Sequence, residues 1–194
     1  DYRNTDDPKV RAAYGKLGGI VGILLNLLLF AVKLTGAIII GSVAVRADAF
    51  NNLSDAASSV IALVTVLISC KPPDRHHPFG HARIEYVSSM IVSFLILVVG
   101  YDLAKDSVTR IFSPAPTEYA RTELLLVLGI LVLAVLCKLG MFFFFRKLGK
   151  MIDSEVLQAT AMDSISDTAA TGAVLLSTVI SAVAGVDLDG YMGL

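Results

Sequence analysis

Five stretches of nearly continuous apolar residues divide the chain into segments that are each long enough to cross a membrane. An α-helix rises about 1.5 Å per residue, so about 20 residues cross a hydrocarbon core about 30 Å thick. The closing residues, "GVDLDGYMGL", are typical of a loop followed by the first turn of a sixth span. The predicted spans are Gly18–Gly41, Ser42–Ser69, Ile84–Leu103, Glu123–Phe145 and Val156–Ala184.

These spans predict an all-α integral membrane protein, a six-helix transmembrane bundle of which five spans and the start of the sixth are present. We expect residues 1–17 to form a cytoplasmic N-terminal segment. Residues 18–194 are expected to form the transmembrane domain, which ends within span six.

The composition supports this class, because 55% of the residues are hydrophobic, only 17% are charged and the mean hydropathy is +0.73. A soluble domain needs more polar residues to cover its surface. The formal net charge is −1, and no basic stripe with interleaved aromatic residues is present. We therefore expect no nucleic-acid partner.

The distribution of Lys and Arg predicts the orientation of the spans. Basic residues concentrate in the N-terminal segment, in the loop between spans two and three, and in the link between spans four and five. Because basic loops stay in the cytoplasm, we place the N-terminus there. We expect a multi-pass protein of a bacterial plasma membrane. The residues concerned are Arg3, Lys9, Arg11, Lys16, Lys71, Arg75, Arg83, Arg146, Lys147 and Lys150.

Polar side chains interrupt spans two and five at matching depths. Asn51 and Asp55 lie roughly 13–20 Å from the outer end of span two, and Asp163 and Asp167 lie roughly as far from the cytoplasmic end of span five. Residues four apart share a helix face, so each pair forms an edge with two ligands. Ionisable residues inside spans are typical of ion pathways. We predict that the four side chains form one metal site.

The donor atoms of this site indicate the metal. Three ionised carboxylates repel one another at this depth unless a cation or protons neutralise them. Zinc favours nitrogen and sulfur donors, whereas manganese and magnesium favour oxygen. The set holds only oxygen donors if Asn51 presents its carbonyl. Oxygen-only coordination favours Mn²⁺, and Mg²⁺, Fe²⁺ and Co²⁺ are the alternatives. Mg²⁺ is the weaker alternative, because it holds its water ligands tightly.

Other polar residues in the spans are candidates for the ion pathway or for contacts between helices. Asp48 and Asn52 are candidate pathway residues next to the site, and Asp48 could instead pair with Arg46. Four further side chains are expected only to bond a neighbouring helix or to cap backbone carbonyls. They are Asn26, Lys33, Asp102 and Lys138.

All three histidines fall in the loop "PPDRHHPFGHARIE" between spans two and three. Asp74, His77 and His81 are spaced to form a second metal site of mixed donors at the cytoplasmic face, and His76 could substitute for its neighbour. The alternative is a polar loop that is merely rich in histidine.

Three separated stretches resemble the signatures of the cation diffusion facilitator (cation efflux) family, in the family's order. They are "GSVAVRADAFNNLSD", "HHPFGHARIEYVSS" and "AMDSISDTAATG". Members are proton-coupled exporters of divalent transition metals. The resemblance implies six transmembrane helices, a homodimer and a cytoplasmic metal-binding C-terminal domain with a ferredoxin-like fold, which is absent from this sequence.

The resemblance also implies the ligand set. The family's transport site takes two residues from span two and two from span five, which fall here on Asn51, Asp55, Asp163 and Asp167. Zinc members typically carry His or Asp at the first position of each pair. Asn51 departs from that pattern, and the Asn–Asp and Asp–Asp pairs together resemble the manganese-transporting branch. Some zinc members bind a further ion in the loop that holds His77 and His81.

We therefore predict a secondary active transporter that exports Mn²⁺ from the cytoplasm in exchange for protons, with no cofactor and no enzyme activity. An exporter of Zn²⁺, Fe²⁺ or Co²⁺ from the same family is the alternative. Two other classes stay open: a membrane-embedded metal-dependent enzyme and an ion channel. An enzyme would need a substrate-sized pocket or a third catalytic element, and a channel would conduct without proton coupling.

Overall fold

The computed structural model describes residues 8–69, 83–113 and 120–194. Every regular element in these ranges is helical, which confirms the all-α prediction. Three of the helices, α1, α4 and α5, are long and apolar enough by length and composition to cross a membrane. The elements are α1 (Pro8–Ile40), α2 (Val43–Ser69), α3 (Arg83–Phe112), α4 (Arg121–Met151), α5 (Glu155–Ala184) and α6 (Asp189–Met192).

The helices are longer than the predicted spans where charged turns extend the apolar core. α1 begins at Pro8 rather than at Gly18, and α3 runs to Phe112 rather than to Leu103. Hydropathy detects only the part of a helix that suits hydrocarbon, whereas backbone hydrogen bonding continues into polar residues. Proline also suits the first turn of a helix, where its missing N–H needs no partner.

Two tight connections fold the chain into antiparallel hairpins. Gly41 takes a left-handed φ of +63° between α1 and α2, and the Ser42 hydroxyl accepts a hydrogen bond from the Val45 N–H at 3.0 Å. At the other connection, the Ser154 hydroxyl caps α5 by accepting from the Leu157 N–H. We call the two ends of the bundle the α1–α2 end and the α4–α5 end, after the connection that each carries.

The two hairpins pack together through α1 and α4. One apolar cluster near the α4–α5 end joins Leu29 of α1 to Phe145 of α4 and Leu157 of α5, and a second near the α1–α2 end joins Ala37 to Leu131. Gly18 lets the start of α1 approach α5, since a Cβ there would lie 2.9 Å from the Leu157 side chain. α2 and α5 therefore face each other across the middle of the bundle.

The distribution of side chains is inverted relative to a soluble protein. Lys33 and Lys138 are the largest fully buried side chains in the described part of the chain, whereas Phe94, Leu97 and Tyr101 of α3 are largely exposed. Such an arrangement suits a bundle whose outer surface meets lipid and whose interior carries polar groups.

Candidate metal site

The acidic residues of α2 and α5 meet at the centre of the bundle. Asp55, Asp163 and Asp167 each present a carboxylate oxygen, and these oxygens lie within 4.8 Å of one another. Asp167 is buried, Asp55 is half-buried and Asp163 is exposed. The antiparallel hairpins bring together pairs that are far apart in sequence, because each pair occupies one face of its helix.

Asn51 joins this acidic cluster through Asp167. Its amide Nδ2 donates to Asp167 Oδ1 at 2.7 Å. The carbonyl oxygen of the amide is therefore the atom that could bind a cation. Asn52, one residue later, is fully buried, and its Nδ2 donates to the backbone carbonyl of Asp48 within the same helix at 2.9 Å. The structure thus places Asn51, and not Asn52, against the acids of α5.

Lys138 of α4 lies inside the same cluster. Its ammonium contacts a carboxylate oxygen of Asp167, lies 3.2 Å from Asp55 Oδ2 and donates to Asn26 Oδ1 of α1 at 2.8 Å. As expected, Lys138 and Asn26 bond neighbouring helices, but the place of Lys138 in the site was not predicted from the sequence. The residue count places Lys138 roughly 20 Å from the outer end of its span, near the level of the acids, but it does not show which way the side chain points.

A second buried polar network lies one to two turns nearer the α1–α2 end. Lys33 of α1 pairs with Asp48 of α2 at 2.8 Å and donates to the Thr171 hydroxyl of α5 at 2.9 Å. That hydroxyl donates in turn to Asp48 at 3.0 Å. The suggested pairing of Asp48 with Arg46 is wrong. Two residues apart on a helix, they point in different directions, and Arg46 instead pairs with Asp106 of α3.

The α1–α2 end is held together by two acids, Asp187 before α6 and Asp189 at its first residue. Asp189 accepts hydrogen bonds from the Ser42 hydroxyl and from the Val43 N–H, the latter at 2.6 Å. A carboxylate at the first turn of α2 also complements the helix dipole. Nearby, Asp187 pairs with Arg110 at 2.7 Å. These contacts and the Lys33–Asp48–Thr171 network enclose the acidic cluster on that side.

A cavity of about 330 Å³ lies at the α4–α5 end, on the other side of the cluster. Gly15, Ser59, Phe145 and Thr160 are among its lining residues. Ser59 lies one turn beyond Asp55 on α2, and Thr160 lies one turn before Asp163 on α5. The cavity therefore lies one turn from the acidic cluster along both helices, at the end of the bundle where α4 ends in Arg146, Lys147 and Lys150.

Comparison with known proteins decides the family. The family described as "Cation efflux transmembrane domain" matches residues 19–193, nearly the whole chain. The chain belongs to the cation efflux family. This confirms the resemblance to the cation diffusion facilitators, and members of the family are transporters rather than enzymes.

Among the relatives of this cation efflux domain are two manganese efflux proteins of Bacillus subtilis (strain 168). "Manganese efflux system protein MneS" is 35% identical over 153 residues, which cover 79% of this chain and 51% of the relative. "Manganese efflux system protein MneP" is 27% identical over 165 residues, 84% of this chain and 54% of the relative.

A third relative, "Magnetosome protein MamM" of Magnetospirillum gryphiswaldense, is 30% identical over 161 residues, 83% of this chain and 50% of the relative. The chain thus spans about half the length of the curated relatives it matches.

The histidine loop of the cation efflux domain falls outside the described residues. Asp74, His76, His77 and His81 all lie between the end of α2 and the start of α3. A second metal site there stays a prediction.

Proposed function

We propose that this cation efflux domain is the membrane-embedded part of a secondary active transporter that exports Mn²⁺ from the cytoplasm in exchange for protons. Asn51, Asp55, Asp163 and Asp167 are its ligands. The observation that carries the proposal is the meeting of three carboxylates from two facing helices within 4.8 Å of one another. Acids cluster this closely in a membrane domain only where a cation or protons offset their repulsion.

The donor set supports Mn²⁺ over Zn²⁺. The described cluster offers carboxylate oxygens and the Asn51 carbonyl, and it holds no imidazole or thiolate among the residues that the structure places there. Oxygen donors suit Mn²⁺, whereas dedicated zinc sites use nitrogen and sulfur. The names of two relatives, MneS and MneP, refer to manganese efflux, which agrees with this choice. Export of Zn²⁺, Fe²⁺ or Co²⁺ is the alternative.

The cavity and the polar network support an alternating-access cycle. We assign the α4–α5 end to the cytoplasm on the positive-inside rule, with the N-terminus on the same side. Mn²⁺ enters through the cavity beside Ser59 and Thr160 and binds the acidic cluster, while the Lys33–Asp48–Thr171 network closes the outer side. Rocking of the hairpins then closes the cytoplasmic side and opens the metal site to the outside. Protons compete for the same oxygens, so protonation outside releases the metal.

Several parts of the proposal concern the whole protein. We propose six transmembrane spans, a homodimer and a bacterial plasma membrane as the location. Asp48 and Asn52 line the outward route once movement of the hairpins has opened it, and Asp74, His77 and His81 hold a second ion at the cytoplasmic face.

Transport assays with the full-length protein in liposomes test the proposal. An imposed pH gradient should drive saturable Mn²⁺ flux, and Asp55→Asn or Asp167→Asn should abolish the flux while the protein stays folded. Asp102→Asn is the matched control, since Asp102 is an exposed acid of α3 outside the cluster. Unchanged flux in the Asp55 and Asp167 variants would disprove the site assignment. A Mn²⁺ flux that does not saturate with Mn²⁺ concentration, or that does not depend on the pH gradient, would indicate a channel.

A further inference from the structure

Lys138 places a positive charge inside the acidic cluster, where a transported cation would also bind. Its side chain is 1% exposed, and its ammonium contacts both Asp55 and Asp167. Asp167 uses its other carboxylate oxygen to accept from Asn51. An ammonium group has donors and no acceptor, so it satisfies carboxylates as a metal ion does but cannot itself bind a metal.

We propose that Lys138 is a tethered counter-cation that holds the carboxylates of the metal-free site and gives them up to the incoming divalent ion. Asn26 then keeps the displaced ammonium. This inference rests on the proposed function, because it assigns Lys138 a part in binding and release of the same ion.

The geometry provides a partner for the displaced ammonium. In the structure, Lys138 Nζ lies 3.2 Å from Asp55 Oδ2 and 2.8 Å from Asn26 Oδ1 of α1. A metal ion that binds Asp55 Oδ2 and Asp167 Oδ2 competes with the ammonium for these oxygens, and the two positive charges repel each other at contact distance. Lys138 keeps the hydrogen bond to Asn26 after it leaves the acids, so the charge moves a short way and is not left without a partner.

The charges explain why a lysine is useful there. Asp55, Asp163 and Asp167 carry −3 when ionised, and Lys138 brings the cluster to −2, which equals the charge that one divalent ion neutralises. A monovalent ion would leave the cluster at −1, and a trivalent ion would leave it at +1. Uncompensated charge is costly inside a protein, so this balance favours divalent ions. The ammonium also lowers the affinity for the metal, because it competes for the same oxygens.

Equilibrium Mn²⁺ binding and transport by the full-length protein test the inference. Lys138→Gln should bind Mn²⁺ about tenfold or more tightly than the wild type, because a competing charge in direct contact is lost. Transport should show a lower KM together with a lower kcat, since release becomes slower. A lysine that only stabilises the fold would give weaker binding or no change.

A charge-matched pair of variants separates compensation from packing. Asp163→Asn alone takes the cluster to −1 and should weaken binding, whereas Lys138→Gln combined with Asp163→Asn returns it to −2. The combination should bind Mn²⁺ within a few-fold of the wild type. If the combination binds as weakly as Asp163→Asn alone, charge compensation by Lys138 is wrong.

Two Asn26 variants test the inference with Lys138 in place, which guards against a folding defect in Lys138→Gln. Asn26→Asp should draw the ammonium away from the acids and tighten Mn²⁺ binding, whereas Asn26→Leu should weaken it. Equal binding by the two Asn26 variants would overturn the counter-cation role. A wild type that binds no Mn²⁺ would overturn the proposed function as well, whereas a binding wild type with no gain in Lys138→Gln overturns this inference alone.

Discussion

The ion pair between Lys33 and Asp48 allows a quantitative prediction, because both partners are enclosed. Their side chains are 0% and 5% exposed, and the two charged groups lie 2.8 Å apart. Lys33→Met leaves the Asp48 carboxylate buried with only Thr171 as a hydrogen-bond donor in the described part of the chain, and Asp48→Leu leaves the Lys33 ammonium without its counter-ion. Each single change should cost about 3–5 kcal/mol of unfolding free energy.

The double variant should behave differently from either single variant. Lys33→Met combined with Asp48→Leu removes both charges, and apolar replacement of a buried pair is often neutral or stabilising. The double variant should therefore recover most of the lost stability, with an interaction energy of several kcal/mol in the cycle. Equilibrium unfolding of the four proteins in mixed detergent micelles measures the four free energies.

An exposed pair serves as the matched control. Arg46 and Asp106 also join two helices, but their side chains are 36% and 48% exposed. Removing either of them should cost less than about 1 kcal/mol. If Lys33→Met and Asp48→Leu cost as little as the control variants, the pair is solvated and the proposed closure of the outer side is wrong.

The remaining predictions concern the metal. Asn51→His together with Asp163→His adds imidazole donors and should shift the preference from Mn²⁺ toward Zn²⁺ in competition binding; an unchanged metal ranking would show that ligand type is not the selector. His77→Ala together with His81→Ala should leave Mn²⁺ binding at the acidic cluster intact, and loss of all binding would reassign the roles of loop and cluster. Mn²⁺ affinity should fall as the pH falls, because protons compete for the carboxylates, and an affinity independent of pH would argue against proton exchange.

The apolar spans of the long helices could be predicted from the sequence, because hydropathy along the chain marks where each span begins and ends. Span five was predicted from Val156 and α5 begins at Glu155, with the same end at Ala184. The acids were found for a related reason. Pairs spaced by four share a face, and their depth follows from the residue count alone, so Asp55 and Asp163 could be placed at one level before any packing was known.

The contacts of single polar residues could not be read in this way. Lys138 has no polar neighbour on its own face of α4 that marks its direction, and its contact with Asp167 depends on how α4 rotates against α5. The pairing of Lys33 with Asp48 likewise depends on the turn at Gly41 and on the packing of α1 against α2. Helix rotation is set by many apolar contacts together, and the order of residues along one helix does not reveal it.

The most direct test is a structure of the full-length protein with Mn²⁺, located by its anomalous scattering. We expect one peak at the centre of the bundle, within coordination distance of carboxylate oxygens of Asp55, Asp163 and Asp167 and of the Asn51 carbonyl. A peak elsewhere in the bundle, with the carboxylates of Asp55 and Asp167 still held by Lys138, would contradict this expectation.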